Sequence, residues 1–180
     1  MSPALKYAPR YTCSDYQKWE GRWELWEGVA VSMSPSPFGL HSAITSRLIH
    51  VLVTAIDASS CQASVLNEID WIVADDTIVR PDIVVVCGGF PERHVESAPA
   101  IVVEVLSETT RSRDLTYKRE LYRSQRVANY LIVDPDNESI VVDKVNSDGE
   151  LQTIEVTDSL AISICDDCQI ELRISDVFRC

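Results

Sequence analysis

The sequence lacks an excess of basic residues: its 180 residues include 16 Lys and Arg against 28 Asp and Glu, a formal net charge of -12. Proteins that coat nucleic acids carry a basic field, so this balance argues against generic nucleic-acid coating. The sequence also lacks a continuous apolar run of membrane-spanning length, and residues 1–20 lack the basic flank and apolar core of a signal peptide. We therefore expect a cytoplasmic protein that has no membrane partner.

The six cysteines occur without a secretory signal, which favours reduced thiols over a disulfide framework. Cys165 and Cys168 form one CxxC pattern with no second pair, so an ordinary surface turn is favoured over a zinc site. The chain is 46% hydrophobic and long enough for one well-formed core. These features predict a single globular domain that spans residues 1–180.

One acidic residue, Glu104, interrupts the apolar run from Ala100 to Ser107. A β-branched run of this kind is typical of a strand covered on both faces, where an unpaired carboxylate costs several kcal/mol. Asp82 has a similar place at the start of a second apolar run, just after Pro81. The two acids are therefore candidates to face each other across neighbouring strands and to share a cation.

Hydrophobic periodicity and turn residues predict a mixed α and β chain. The predicted elements are a short capped helix from Ser14 to Trp19, a hairpin at 22–33 with a Glu27–Gly28 turn, a break at 33–37, a long helix at 41–56, strands at 63–66, 69–73, 80–87 and 100–107, a helix at 112–125, a hairpin at 128–145, and an acidic β-meander that closes on a helical turn at 174–178.

Charge is distributed unevenly along the chain. Residues 111–126 include 6 basic and 2 acidic residues, whereas residues 134–180 include 3 basic and 12 acidic residues. The positive segment directly follows the strand of Glu104. Positive charge at this position could bind the phosphate of a substrate. The alternative interpretation of the segment is a solvated helix face.

Three side chains of the predicted helix at 112–125 lie at positions i, i+4 and i+8 and so share one face: Asp114, Lys118 and Tyr122. Carboxylate oxygens such as those of Asp82 and Glu104 are the ligands that Mg²⁺ and Mn²⁺ prefer. A bound divalent ion promotes phosphate hydrolysis, and a nearby lysine ammonium assists it. The alternative for Lys118 is a simple pair with Asp114 on an exposed helix face.

A set of residues in the order and spacing of this chain resembles the Uma-type family of putative restriction endonucleases, in the PD-(D/E)XK nuclease-like superfamily. The residues that carry the resemblance are Tyr11-Thr12, Tyr16, Trp19-Glu20, Trp23-Glu24-Leu25, Glu27-Gly28, Met33-Ser34-Pro35, His41, Pro81-Asp82, Val103 to Ser107, Arg113-Asp114, Lys118, Tyr122 and Tyr130 to Pro135. The resemblance implies an α/β fold with a restriction-endonuclease-like mixed central sheet flanked by helices, to which the C-terminal β-meander is added.

The resemblance also implies roles for individual residues. Asp82 and Glu104 match the two acids of the superfamily motif, and Leu106 stands where the motif lysine usually lies. Relatives move that lysine to the following helix, which makes Lys118 its stand-in. Glu24 resembles the extra acid that completes the metal site. Asp82, Glu104 and Lys118 are thus the expected catalytic residues, with Mg²⁺ or Mn²⁺ held by Asp82, Glu104 and Glu24.

The implied activity is metal-dependent hydrolysis of DNA phosphodiester bonds. The expected substrate contacts are made by His41, Arg111, Arg113 and Tyr122. An alternative from another class is a catalytically silent domain that acts as a binding or assembly module. The acidic surface favours that alternative, or a homodimer that concentrates its few basic residues, because duplex DNA repels a monomer of charge -12.

Overall fold

The computed structural model describes residues 9–33, 39–146, 148, 150–165 and 168–179. Helices and strands are both present, so the predicted mixed α/β class is confirmed. Most of the predicted chain break at 33–37 lies outside the described residues.

The helices are α1 (Cys13–Tyr16), α2 (Gly39–Ser59), α3 and α4 (Ile174–Phe178), where α3 is a composite of Arg111–Arg113, a π-helical turn Asp114–Lys118 and Arg119–Ser124. The strands are β1 (Trp23–Trp26), β2 (Val29–Ser32), β3 (Ala63–Asn67), β4 (Trp71–Ala74), β5 (Thr77–Val79), β6 (Ile83–Cys87), β7 (Ile101–Val105), β8 (Asn129–Asp134), β9 (Ser139–Val145), β10 (Leu151–Val156), β11 (Ser159–Ile164) and β12 (Cys168–Arg173).

A six-stranded sheet in the order β10-β9-β8-β7-β6-β3 forms the centre of the molecule. Its β7 and β8 strands are parallel, which requires the α3 crossover between them, and its other pairs are antiparallel. A second sheet, the small sheet, has the order β2-β1-β5-β4. The β1–β2 hairpin turns at Glu27 and Gly28 with φ of 47° and 80°, a conformation that matches a twisted two-residue hairpin turn.

The central sheet separates two apolar layers. Strand alternation sends Ile101, Val103 and Val105 of β7 into one layer and Val102 into the other. In the first layer α2 contributes the buried stripe of Ile44, Leu48, Leu52 and Ile56. By length and composition alone α2 could cross a membrane, but here this stripe packs against the sheet as a core helix does.

The second layer is built around aromatic rings. The Tyr122 ring stacks on Trp71 with centroids 5.8 Å apart and meets Tyr130 edge-on at 4.9 Å. Tyr122 lies on α3 and Tyr130 on β8, so the contact holds α3 against the sheet face to which Glu104 belongs. The alternation of side chains along β7 therefore directs Glu104 toward α3.

Two local predictions need correction. The first helix is shorter than predicted and begins after Thr12, whose backbone N–H donates to Asp15 Oδ2 at 3.1 Å, so Ser14 is not its cap. The C-terminal strands do not form one meander: β10 extends the central sheet, whereas β11 and β12 form a separate hairpin. The hairpin buries Ile162, Ile164 and other apolar residues against the first layer.

The prediction of reduced cysteines is also wrong for four of the six. Cys61 is bonded to Cys168, and Cys87 is bonded to Cys165, with Cα atoms 5.8 and 5.4 Å apart. Sequence spacing could not reveal these pairs because they join residues 107 and 78 positions apart. Of the described cysteines, Cys13 is the one without a disulfide.

The α2 stripe gives a direct test of the first layer. We expect Leu48→Ala to lower the free energy of unfolding by about 2–5 kcal/mol, because Leu48 is fully buried and its loss opens a cavity. Val53→Ala on the same helix, where the side chain is 40% exposed, should change it by less than about 0.5 kcal/mol. Urea unfolding of both variants measures the difference. Equal effects would show that α2 does not pack as described.

Candidate active site

The candidate site centres on the ammonium of Lys118, which α3 places beneath the surface. Lys118 is 6% exposed. Its Nζ lies 2.9 Å from Glu104 Oε1, 3.1 Å from Glu24 Oε1 and 3.7 Å from Asp114 Oδ1. Lys118 therefore does not pair with Asp114 on an exposed helix face, and three buried carboxylates share its charge.

The small sheet supplies Glu24, which two further donors hold in place. Glu24 Oε1 accepts a hydrogen bond from the backbone N–H of Arg80 at 2.7 Å, and Glu24 Oε2 accepts one from Trp26 Nε1 at 3.1 Å. Trp26 is in turn stacked on Tyr117 of α3, with ring centroids 4.2 Å apart. The sheet and the helix therefore meet through the same residues that position this acid.

Glu104 is held by a second donor besides Lys118. The hydroxyl of Tyr122 donates to Glu104 Oε1 at 2.6 Å. Burial raises the pKa of Glu104 well above its usual value, although the Lys118 charge acts in the opposite direction. Tyr122 is fully buried, so the structure corrects its predicted role as a substrate contact and makes it a support for Glu104.

The π-helical turn at Asp114–Lys118 places the lysine at this point. Extra residues of this kind in a helix are frequent at functional sites. Burial by itself would lower the pKa of Lys118, but Glu104, Glu24 and Asp114 outweigh it and raise that pKa well above its usual value. The surrounding acids therefore favour the charged form of Lys118.

Asp114 is the residue of this cluster that the sequence analysis did not assign to the site. It is 2% exposed, and its Oδ2 atom has no hydrogen-bond partner. Burial raises the pKa of Asp114 to about 6 in spite of the nearby Lys118. Its spacing from Lys118 and Tyr122 on one helix face is the signal that identifies it.

Asp82 lies beside this cluster at the more accessible side. Ile83 of β6 pairs with Val103 of β7, so the next residues along the two strands are Asp82 and Glu104. Asp82 Oδ2 accepts the backbone N–H of Val105 at 2.8 Å. Its side chain is 20% exposed, against 3% for that of Glu104. The two motif acids are thus neighbours, one buried and one within reach of solvent.

His41, in the first turn of α2, contacts Asp82 with Nε2 3.2 Å from Asp82 Oδ2. Burial acts to lower the pKa of His41, but the hydrogen bond and charge of Asp82 outweigh it and raise that pKa. His41 also borders a surface cavity of about 280 Å³ whose lining includes Leu106 and Ser107. The cavity therefore adjoins the residue that contacts Asp82, although neither Asp82 nor Glu104 lines it.

Three of the four arginines of α3 are paired within the molecule. Arg111 Nη2 lies 2.9 Å from Asp134 Oδ2, and Arg113 donates to the carbonyl of Ser32 at 2.8 Å. Arg119 forms two hydrogen bonds to Asp143, at 2.6 and 2.7 Å. The positive segment is therefore neither a free phosphate-binding row nor a plain solvated face.

A divalent cation fits the chemistry of this donor set. The available ligands are carboxylate oxygens, which suit Mg²⁺ and Mn²⁺, and the buried Asp114 Oδ2 lacks a partner. Within the described residues no three His, Cys, Asp or Glu side chains form a ready group of metal ligands. Mg²⁺ commonly binds through one or two carboxylates and keeps several waters, which Asp82 and Glu104 together can satisfy.

Asp82 and Glu104 on adjacent strands, with Lys118 on the following helix, form the candidate site of this α/β protein. Residues 13–175 match the family model of Uma2, described as putative restriction endonuclease. The chain belongs to the Uma2 family.

Two similar proteins extend this result. The chain is 27% identical over 156 residues to the uncharacterized protein slr1290 of Synechocystis sp., covering 83% of this chain and 81% of that protein. A putative nuclease of the DUF820 group from Anabaena variabilis, known from a crystal structure, superposes with a TM-score of 0.72 and 21% identity, covering 93% of this chain and 97% of that one. This superposition confirms the predicted fold.

Removing the lysine should destabilise the protein. We expect Lys118→Ala to lower the free energy of unfolding by about 3–5 kcal/mol, because it leaves buried carboxylates without their cation. Lys18→Ala removes a lysine whose side chain is 73% exposed and should cost less than about 1 kcal/mol. Chemical unfolding at pH 7 compares the two. A small effect of Lys118→Ala would mean that the acids are protonated and need no cation.

Asp114 should make stability depend on pH. Burial raises the pKa of Asp114 to about 6 in the folded protein, so the folded state binds the proton of Asp114 more tightly than the unfolded state does. The stabilisation that results is complete below the pKa of Asp114 in the unfolded chain and is lost as the pH rises through about 6. Relative to Asp114→Asn, the parent should lose about 2–3 kcal/mol between pH 4 and 7.

Asp134 provides the opposite control for this experiment. Burial acts to raise the pKa of Asp134, but hydrogen bonds from Asn137 and Arg111 outweigh it and lower that pKa. Relative to Asp134→Asn, the parent should therefore lose stability as pH falls. Urea unfolding across this pH range measures both differences, and the same pH profile for parent and Asp114→Asn would contradict the burial that raises the pKa of Asp114.

Proposed function

We propose that this protein is a metal-dependent endonuclease that hydrolyses phosphodiester bonds in DNA. The observation that carries the proposal is the position of Asp82, partly exposed beside the buried Glu104, with Lys118 bonded to Glu104 on its inner side. Membership of the Uma2 family supports a nuclease-like function for these residues. The metal dependence and the DNA substrate are parts of the proposal.

The charge of the cluster favours a bound cation. Glu24, Glu104, Asp114 and Asp82 lie around Lys118, and the raised pKa of Glu104 includes repulsion from both Asp114 and Asp82. Like charges in a buried site disfavour ionisation unless a cation compensates them. Asp82 and Glu104 would hold Mg²⁺ or Mn²⁺, and Glu24 would assist from the inner side.

Each protein group has a distinct task in this proposal. The bound ion would acidify a water molecule and stabilise the charge that develops on the phosphate. Lys118 lowers the pKa of Glu104, which burial raises, and its third N–H would donate to the water. Tyr122 fixes the orientation of Glu104, and the Arg80 N–H fixes that of Glu24. The Nε2–H group of His41 would donate a hydrogen bond to Asp82 or to a substrate oxygen in the adjoining cavity.

DNA would approach from the surface formed by α3 and the start of α2. Arg111 and Arg113 would contact phosphates, and the Arg111 side chain is 38% exposed. Each must first exchange its internal partner, Asp134 or the Ser32 carbonyl, for a phosphate oxygen. This exchange weakens binding, which suits a substrate held mainly at the acids. A homodimer would bring a second set of these arginines to the same duplex.

A catalytically silent binding or assembly module is the second candidate. Two observations favour it: Lys118 already contacts three of the buried acids, and Arg111, Arg113 and Arg119 of α3 are paired internally. In that case the cluster is a structural ion network in a protein of charge -12. Whether the acids bind a metal separates the two candidates.

Metal binding can be tested through thermal stability. In millimolar Mn²⁺ the parent should melt higher than in EDTA, because a ligand that binds the folded state stabilises it. Asp82→Asn keeps an oxygen that can accept the Val105 N–H, yet it should abolish most of the shift. Asp57→Asn, at an exposed position on α2, should retain the full shift.

Cleavage of supercoiled and single-stranded DNA in Mn²⁺ completes the test. The parent and Asp57→Asn should cut, and Asp82→Asn should not. A parent that neither cleaves DNA nor changes its melting temperature with Mn²⁺ or Mg²⁺ would refute the nuclease proposal and favour the silent module. A metal shift that survives in Asp82→Asn would place the metal elsewhere.

A further inference from the structure

Four cysteines meet at the end of the molecule that carries the β11–β12 hairpin. Cys168 at the start of β12 is bonded to Cys61, which follows α2, and Cys165, just after β11, is bonded to Cys87, the last residue of β6. The CxxC pattern therefore does not bond to itself. Cys168 bonds to the segment after α2, and Cys165 bonds to the end of β6.

The two bonds lie side by side. On the sheet, Cys87 pairs with Ala63, two residues after Cys61, and Gly88 N donates to the Gln62 carbonyl at 2.8 Å. On the hairpin, Cys168 pairs with Ile164, the neighbour of Cys165. Cys61 and Cys87 thus lie close together on the sheet, and Cys165 and Cys168 lie close together on the hairpin. These four residues form the four-thiol cluster.

The hairpin depends on this end of the molecule for its attachment. Among the described residues, β11 and β12 pair with each other and with no strand of the larger sheets. Packing of Ile162, Ile164, Ile170 and Leu172 holds the hairpin against the first apolar layer. The two disulfides add covalent closures across 107 and 78 residues, and long closures constrain the unfolded chain most.

We propose that this four-thiol cluster is a redox modification site at which a small-molecule disulfide of the glutathione type forms both bonds reversibly. For each bond, a cysteine thiolate attacks the small disulfide and releases one small thiol. The second cysteine then attacks the mixed disulfide and releases another. Two cysteine thiols thereby lose two electrons and two protons, and the small disulfide gains them as two thiols. Oxidation clamps the hairpin covalently to the sheet, and a thiol reductant removes that clamp and leaves the hairpin held by its apolar packing.

The surroundings of the sulfurs set the order of reduction. Cys87 is exposed, whereas Cys61, Cys165 and Cys168 are partly buried and pack against the first apolar layer. A reductant therefore reaches the Cys87–Cys165 bond first and the Cys61–Cys168 bond second. The site lies beyond the C-terminal end of α2, roughly 27 Å along the helix from His41 at its other end. The proposal is thus independent of the proposed function.

Counting free thiols tests the proposal directly. The purified full chain is equilibrated in glutathione buffers from reducing to oxidising, quenched with acid, unfolded and labelled with a maleimide, and the labels are counted by intact mass. We expect six labels in the reduced chain and two in the oxidised chain, reached in two steps of two. Cys87→Ser should remove the step that occurs at the less reducing potential.

Paired variants test the connectivity. Cys61→Ser with Cys168→Ser removes one complete bond and should leave two labels after oxidation. Cys61→Ser with Cys165→Ser removes half of each bond and should leave four. Cys13→Ser should lose one label and change nothing else, because Cys13 lies away from the cluster on α1. Two labels in the mismatched double variant would overturn the proposed pairing.

Thermal melts connect the chemistry to the hairpin. The oxidised chain should melt roughly 10 °C above the reduced chain, with the same difference in Cys13→Ser. Six labels under oxidising conditions, or equal melting temperatures, would overturn the proposal. So would one equivalent of zinc bound by the reduced chain and protecting four thiols from the maleimide, since this would make the cluster a metal site.

Discussion

The buried ammonium of Lys118 is the interaction on which the rest of the molecule depends. It lies within 3.1 Å of Glu24 and Glu104, which come from different sheets, while Lys118 itself comes from the helix between them. Burying these charges costs several kcal/mol per ion, and close geometry with further hydrogen bonds is required to offset the cost. Arg80 N–H, Trp26 Nε1 and the Tyr122 hydroxyl provide those bonds. The buried charges of this network are therefore matched by close contacts and by hydrogen bonds from three further groups.

The same network explains why several unrelated features occur together. The π-helical turn adjusts α3 so that Lys118 and Tyr122 both reach Glu104, and the Trp26–Tyr117 stack brings the small sheet to the helix. Asp114 Oδ2 and Tyr117 Oη, both in the π-helical turn, are buried atoms without a hydrogen-bond partner. Unsatisfied buried groups are rare in folded proteins and tend to mark functional positions. The turn that carries the lysine therefore also carries these unsatisfied atoms.

Much of this site was predictable because a charged residue within an apolar run requires a partner of opposite charge or a hydrogen-bond donor. Glu104 stands in an apolar run, so a partner was required, and Lys118, with Tyr122 on the same helix face, supplies it. The resemblance to Uma-type proteins chose Lys118 in preference to the motif position, which holds the buried Leu106. The fold class, the β1–β2 hairpin and most strands follow from periodicity for the same local reason.

The remaining features depend on contacts between distant parts of the chain. The disulfides join residues 107 and 78 positions apart, and no spacing rule predicts such pairs. The partners of Arg111 and Arg119 lie 23 and 24 residues away, so a net positive segment could not show that its charges were already occupied. The depth of Lys118 was also hidden, because a helix face of Asp, Lys and Tyr has the composition of a surface.

The parallel pairing of β7 and β8 has a consequence for how the molecule folds. These strands come together only after the chain between them has formed a crossover, and contacts of this range make folding slow. That crossover is α3, so the step that closes the sheet is also the step that carries Lys118 to the acids. The acids and their lysine therefore come together only through the same long-range contacts that complete the sheet.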